Sequence, residues 1–180
     1  MMTIIVLDFD DTLFPTTEYN KKSIIDNEKV YQSIKKFIDT VKIFSQIIYI
    51  ITNASEYWIK HCFLNILKKP LDCLENINIV STIDRGYNKG INISVWKQVT
   101  YENVLKDYLS SHKNIILFIG DNEYDRQGAL YIKKTYPIHI VKSIKYKIFP
   151  TVDILINQHE RTLSSLLNIL ITEEDLNLEL

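Results

Sequence analysis

The sequence predicts an α/β protein with a central parallel sheet of about five strands and helices on both faces. Three observations carry that prediction. Short, β-branched apolar runs alternate with longer amphipathic stretches along the chain. The apolar runs lack the polar alternation of a half-solvated strand, as fits strands buried on both faces. Strand and helix follow one another in strict turn, the pattern of parallel strands joined by helical crossovers.

Each element has its own justification. Thr3-Ile4-Ile5-Val6-Leu7 is apolar, β-branched and halts at Asp8, so it is the first strand. Residues 27–44 place Val30, Ile34, Phe37, Ile38 and Val41 at helical spacing, with Lys and Asp opposite. Residues 46–52 form the second strand. A helix over 55–67 follows, with Asn53 or Ser55 as cap and Pro70 beyond its end. Residues 77–81 give a short third strand, and 82–92 a polar loop holding Gly86 and Gly90. Ser94 is the expected cap of a long helix reaching Ser110. Residues 114–119 are the fourth strand, ending at Gly120, and 122–136 a helix. Residues 137–141 are the fifth strand, and 151–171 the last helix. The acidic end, 173–180, is expected to fray.

With 180 residues, the chain is expected to be a single domain spanning 1–180. An apolar fraction of 46% with 24% charged residues argues against a disordered chain. A formal net charge of −1 argues against a nucleic-acid binder held by its overall field. Cys62 and Cys73 form neither a disulfide framework nor a zinc site, and read as reduced thiols. No apolar run approaches the roughly 20 residues of a membrane span, so no membrane partner is expected. The N-terminal apolar stretch runs into Asp8, Asp10 and Asp11 and lacks the features of a signal peptide. A cytoplasmic protein is the expectation.

In open α/β sheets, sites lie beyond the carboxyl ends of the strands. The chemically suspicious residues fall there. The first strand runs into Asp8-Phe9-Asp10-Asp11-Thr12, the second ends in Thr52-Asn53, and the fourth in Gly120-Asp121-Asn122-Glu123-Tyr124-Asp125. Lys97 lies near the start of the helix after the third strand. Four carboxylates, a hydroxyl and an ammonium would therefore converge on one edge of the sheet.

In these residues the chain resembles the haloacid dehalogenase superfamily of Asp-nucleophile phosphohydrolases. That family's first motif is a strand followed by D-x-D-x-T, matched by Asp8, Asp10 and Thr12. Its second is a strand ending in Thr or Ser, matched by Thr52. Its third is an isolated Lys, matched by Lys97, and its fourth is G-D-x-x-x-D, matched by Gly120, Asp121 and Asp125. The four elements occur in order over the whole chain. A nearer likeness is to a largely uncharacterised subgroup sharing Asp10-Asp11-Thr12-Leu13-Phe14-Pro15-Thr16, Ile51-Thr52-Asn53-Ala54 and Trp96-Lys97. The resemblance implies a three-layer Rossmann-like fold. It further implies an Mg²⁺-dependent phosphatase working through an aspartyl-phosphate.

The chemistry of each position fits that implication. A carboxylate at Asp8 would attack phosphorus and split one hard step into two. Asp10 would protonate the leaving oxygen and then activate water. The dehalogenases of the family it resembles lack this second Asp, so its presence favours phosphoryl transfer. Asp8 and Asp121 would hold Mg²⁺, a hard cation that takes oxygen ligands, with Asp125 either a direct ligand or the residue that orients one; the resemblance adds the backbone carbonyl of Asp10 as a further ligand. Thr52, Asn53 and Lys97 would hold the phosphoryl oxygens, and Thr12 would brace the loop. Taken singly, each Asp reads more readily as a structural turn or helix-start residue; the ordered set is what points to chemistry. Trp58 and Trp96 read as packing residues. His61, His112, His139 and His159 read as surface or satisfied core residues.

Many relatives insert a cap domain after the first motif or before the Lys. Residues 14–27 read as a loop and 53–96 as a helix, a strand and a loop, so no cap is expected and the site should be open. Open members act on large phosphorylated substrates or borrow a lid from another subunit, so a homo-oligomer is compatible with the chain. Lys142, Lys145 and Lys147, with Arg85 and Lys89, are expected at the same edge as a rim for a polyanionic substrate; a plain solvated loop is the alternative. The rival functions are a non-catalytic phosphate- or Mg²⁺-binding or interaction protein on the same fold, and a phosphotransferase.

Overall fold

The computed structural model describes residues 1–86, 89–110 and 112–180; Tyr87 and Asn88 of the polar loop, and Ser111 after the fourth helix, lie outside them. The elements run β1 (Thr3–Leu7), α1 (Thr16–Asn20), α2 (Asn27–Phe44), β2 (Ile47–Thr52), α3 (Glu56–His61), β3 (Asn78–Ser81), α4 (Trp96–Leu109), β4 (Ile115–Gly120), α5 (Glu123–Thr135), β5 (Ile140–Lys145), α6 (Val152–Ile171) and β6 (Leu176–Glu179). All strand pairs are parallel, in the order β3-β2-β1-β4-β5-β6. That is the Rossmann-like order, whose direction reverses between β1 and β4.

The central strands are buried on both sides, as their unbroken apolar runs require. Ile5 and Leu7 of β1, with Leu117 and Ile119 of β4, pack under Ile34, Phe37 and Ile38 of α2 and Leu155 and Leu166 of α6. Ile4 and Val6, with Ile116 and Phe118, pack under Tyr101 and Leu105 of α4 and Ala129 and Ile132 of α5. The sheet is thus the middle of three layers. Among the described residues, no helix is long and apolar enough to cross a membrane.

Several expectations need correcting. The sheet has six strands, not five, because the acidic end does not fray. Leu176 and Leu178 alternate with exposed Asn177 and Glu179, and the two leucines cover the core edge beside β5. Asp175 accepts from the Val141 amide at 2.8 Å and pairs with Lys133 at 2.9 Å, which pins the entry to β6.

The fifth strand is 140–145 rather than 137–141. Lys142, expected beyond it, sits inside it and is fully buried. Its ammonium is satisfied by the carbonyls of Thr172 and Glu174, at 2.6 and 2.9 Å. The helix expected over 55–67 does start at a Ser55 cap, but turns into a π-helix over Cys62–Leu67. The long helix starts at Trp96, not at a Ser94 cap; Asn92 accepts from the Ser94 amide and caps a 3₁₀ turn, Ile93–Val95, that leads into it. Segment 14–27 carries the short α1, and 53–96 carries α3, its π turn, a second 3₁₀ turn (Asp72–Leu74) and β3.

Candidate functional site

The site forms where β1 and β4 diverge. The β1 ladder carries one residue past the strand, through the Asp8 amide to the Ile119 carbonyl at 2.9 Å. The chain then folds into a tight loop, in which the Leu13 and Phe14 amides both donate to the Phe9 carbonyl. Asp11 takes a left-handed backbone at φ 53°, a conformation Asp tolerates better than most residues. Its carboxylate holds the Thr17 amide at 2.8 Å and the Thr17 hydroxyl, tying the loop to α1. From below, Nε2 of the buried His159 on α6 donates to the Thr12 carbonyl at 2.8 Å, and Ser33 on α2 holds its Nδ1 at the same distance.

Asp8, Asp121 and Asp125 are buried and come together: one carboxylate oxygen from each lies within 4.8 Å of the others. Lys97 enters from α4, with Nζ at 2.7 Å from Asp8 Oδ1 and 2.8 Å from Asp125 Oδ1. It also donates to the Ile51 carbonyl at 2.5 Å. Tyr101, one turn on, donates to Asp125 Oδ1 at 3.0 Å. Glycine is required at 120: a β-carbon there would lie 2.4 Å from the Asp125 carboxyl carbon.

The electrostatics follow from three carboxylates facing one ammonium. Burial raises Asp8 well above the ordinary carboxylate range and Asp125 adds to that, against the pull of Lys97. Burial, then Asp125, pushes Asp121 up to about 7. Burial alone would lower Lys97, but Asp125 and Asp8 outweigh it and hold it above its ordinary value. Asp125 Oδ2 is buried without a hydrogen-bond partner. A surplus of buried negative charge and an orphaned hard oxygen are the features a divalent cation such as Mg²⁺ would satisfy, so the residues fit one.

The other expected residues divide. Asp10 borders the same cavity of about 240 Å³ as Asp8 and Lys97, and its carboxylate is held by hydrogen bonds from three other side chains. Oδ1 accepts from Thr16 Oγ1 at 2.5 Å and Trp58 Nε1 at 2.7 Å; Oδ2 takes Thr52 Oγ1 at 3.3 Å. Thr52 is fully buried and also accepts from the Ala54 amide. Asn53 lines the cavity and accepts from the Thr82 hydroxyl at 3.1 Å. Thr12 Oγ1 approaches Asp121 at 3.5 Å.

None of the five residues of the expected rim, Arg85, Lys89, Lys142, Lys145 and Lys147, lines the cavity that holds Asp8. Lys142 is inside β5, Lys145 leans to Glu179 at 3.4 Å, and Lys147 lines a separate cavity of about 330 Å³ with Arg161. Arg85 borders another cavity, with Tyr49 and Val104.

Contributors that the sequence reading did not single out include Trp58, Thr16, Tyr101 and His159, together with Thr17, Tyr124 and Phe149, which border the cavity. Tyr101 was legible in principle, four residues after Lys97 and so on the same helix face. Trp58 and His159 depend on tertiary neighbours. No protein-family model, curated protein or solved structure matches the chain.

Proposed function

We propose that this chain is an Mg²⁺-dependent phosphomonoester hydrolase that works through an aspartyl-phosphate at Asp8. The observation that carries the proposal is the meeting of Asp8, Asp121, Asp125 and Lys97 at the sheet's switch point. Residues of this chemistry from three separate segments of the chain have no structural need to share one buried spot, where their net charge costs stability.

Asp8 attacks phosphorus with one carboxylate oxygen. The bond from phosphorus to the leaving oxygen breaks, and that oxygen takes its proton from Asp10. Water then attacks the phosphoryl group and gives its proton to Asp10. The bond between phosphorus and Asp8 breaks, freeing inorganic phosphate and restoring both carboxyl groups. Lys97 neutralises phosphoryl oxygens as a point charge, and the Thr52 and Asn53 side chains orient them. Asp8, Asp121 and Asp125 would hold the metal, with the carbonyl of Asp10 as the further ligand the family resemblance implies. Bound Mg²⁺ supplies charge stabilisation for the transferring phosphoryl group. The cavity opens to solvent with no inserted domain in 14–27 or among the described residues of 53–96, so the phosphate end of a larger molecule has access.

The test is hydrolysis of an aryl phosphate by the wild type with Mg²⁺, by the wild type with EDTA, and by Asp8→Asn with Mg²⁺. Activity is expected in the first alone. Full activity of Asp8→Asn contradicts the proposal. An inactive wild type that still binds Mg²⁺ favours a non-catalytic phosphate- or metal-binding protein.

A further inference from the structure

Two aromatic side chains border the cavity that holds Asp8 and Lys97: Tyr124, in the first turn of α5, and Phe149, beyond β5. Both follow the carboxyl ends of adjacent strands, β4 and β5. The hydroxyl and amide groups that border the cavity at Thr16, Thr17 and Asn53 come from the segments after β1 and β2.

Phe149 is unusual in two ways. It is 64% exposed although its ring is wholly apolar. Its backbone is left-handed, with φ 54°, directly before Pro150. Left-handed geometry is unfavourable for a bulky residue, and the residue before a proline prefers an extended backbone. The segment is nevertheless fixed at both ends. Tyr146 is fully buried, bonds Thr162 at 2.7 Å, and its amide reaches the Gly120 carbonyl at 2.8 Å. On the other side, Pro150 is buried and Thr151 caps α6. Strain held in place by its surroundings, with an apolar ring left in water, is the mark of a contact surface rather than of packing.

We propose that Phe149, with Tyr124, forms a ring-binding subsite, so that the preferred substrate is a phosphomonoester whose leaving group carries an aromatic ring. This deepens the hydrolase proposal and rests on it for the reaction. The shared chemistry is a planar ring next to the phosphate, from an aryl ester or a nucleoside monophosphate. The ring meets Phe149 while the phosphate meets Lys97.

The test uses phenylphosphonate and methylphosphonate, which bind without turnover, in calorimetry with Mg²⁺. The proteins are wild type, Phe149→Asn and Phe149→Tyr. Asn adopts the left-handed backbone readily, so it removes the ring without adding strain. The wild type should prefer phenylphosphonate, and the preference should fall about tenfold in Phe149→Asn, the usual scale of one stacked ring, and persist in Phe149→Tyr. No binding of either phosphonate, or a preference that Phe149→Asn leaves unchanged, overturns the subsite. In parallel, kcat/KM is compared for phenyl phosphate, adenosine 5′-monophosphate and glycerol 3-phosphate. The first two arms distinguish an aryl from a nucleoside source. Phenylphosphonate binding that depends on Phe149, without hydrolysis of any ester, defeats the hydrolase proposal and leaves the subsite standing. Hydrolysis of all three esters without dependence on Phe149 does the reverse.

Discussion

The indole Nε1 of Trp58 donates to Asp10 Oδ1 at 2.7 Å. The ring that makes this bond is wedged against Phe14, Tyr19 and His61. The orientation of the proposed general acid is therefore set by a side chain on α3, beyond a different strand. Trp58→Phe keeps most of the packing and removes the donor. It should lower kcat about tenfold while moving KM little, and cost about 1 kcal/mol of stability. Steady-state kinetics beside urea unfolding read both effects. A change in KM alone would count against the orienting role.

Asp10→Asn removes the proton donor. Its cost should depend on the leaving group, because a good leaving group departs without protonation. A loss of about 10²–10³ in kcat is expected for an alkyl phosphate, and a much smaller loss for nitrophenyl phosphate. Equal losses on both esters would deny Asp10 its role.

The carboxylate cluster makes the metal-free protein carry a stability cost. Asp121 is pushed up to about 7 by burial and Asp125. A carboxyl raised above its unfolded value favours its protonated form in the fold, so its contribution to stability falls as pH rises from about 4 through 7. At pH 8 without metal, Asp121→Asn should be more stable than wild type, by on the order of 2 kcal/mol. Saturating Mg²⁺ should reverse the ranking: at a hundred times its Kd it adds about 2.7 kcal/mol to a protein that binds it, and the variant should gain little. Thermal unfolding with and without Mg²⁺ checks both halves.

His159 responds to pH in the opposite sense. Burial lowers it to about 4 from 6.5, despite its bond to the Thr12 carbonyl. The unfolded chain takes up a proton below about 6.5 and the folded protein resists until about 4, so stability drains as pH falls across that window, by on the order of 3 kcal/mol in all. His159→Gln can keep both hydrogen bonds and does not titrate. Urea unfolding between pH 4 and 7 should show a shallower acid loss in the variant; parallel profiles would refute the assignment.

Lys142 fixes the β6 entry through the Thr172 and Glu174 carbonyls. Lys142→Met should cost about 1–2 kcal/mol and leave the salt dependence of kcat/KM unchanged. A flattened salt dependence would restore a substrate-facing role to this lysine.

What could be read from the sequence, and what could not, follows physical lines. Asp8, Lys97, Asp121 and Asp125 were legible because each is fixed by a strand end or helix start, and the parallel topology alone brings those ends together. Trp58 and His159 were not, since their partners lie 48 and 147 residues away and depend on how α3 and α6 pack. The β6 strand was hidden by its composition: the acids drew notice, while the two-residue alternation of Leu176 and Leu178 carried the structure. Lys142 misled for the mirror reason. A lysine reads as solvated until backbone carbonyls from another segment enclose its ammonium.

The central claim is that Asp8 becomes covalently phosphorylated. Turnover of phenyl phosphate with Mg²⁺ in oxygen-18 water, followed by mass spectrometry of the peptide containing Asp8, tests it most directly. If water attacks the aspartyl-phosphate at phosphorus, the labelled oxygen leaves in inorganic phosphate, and Asp8 regains its own oxygen. A trapped phosphoryl adduct on Asp8 in the quenched enzyme, with label in phosphate and none in the peptide, is the result predicted. Hydrolysis that puts label into phosphate with no adduct on Asp8 at any quench time, and that survives in Asp8→Asn, would contradict it.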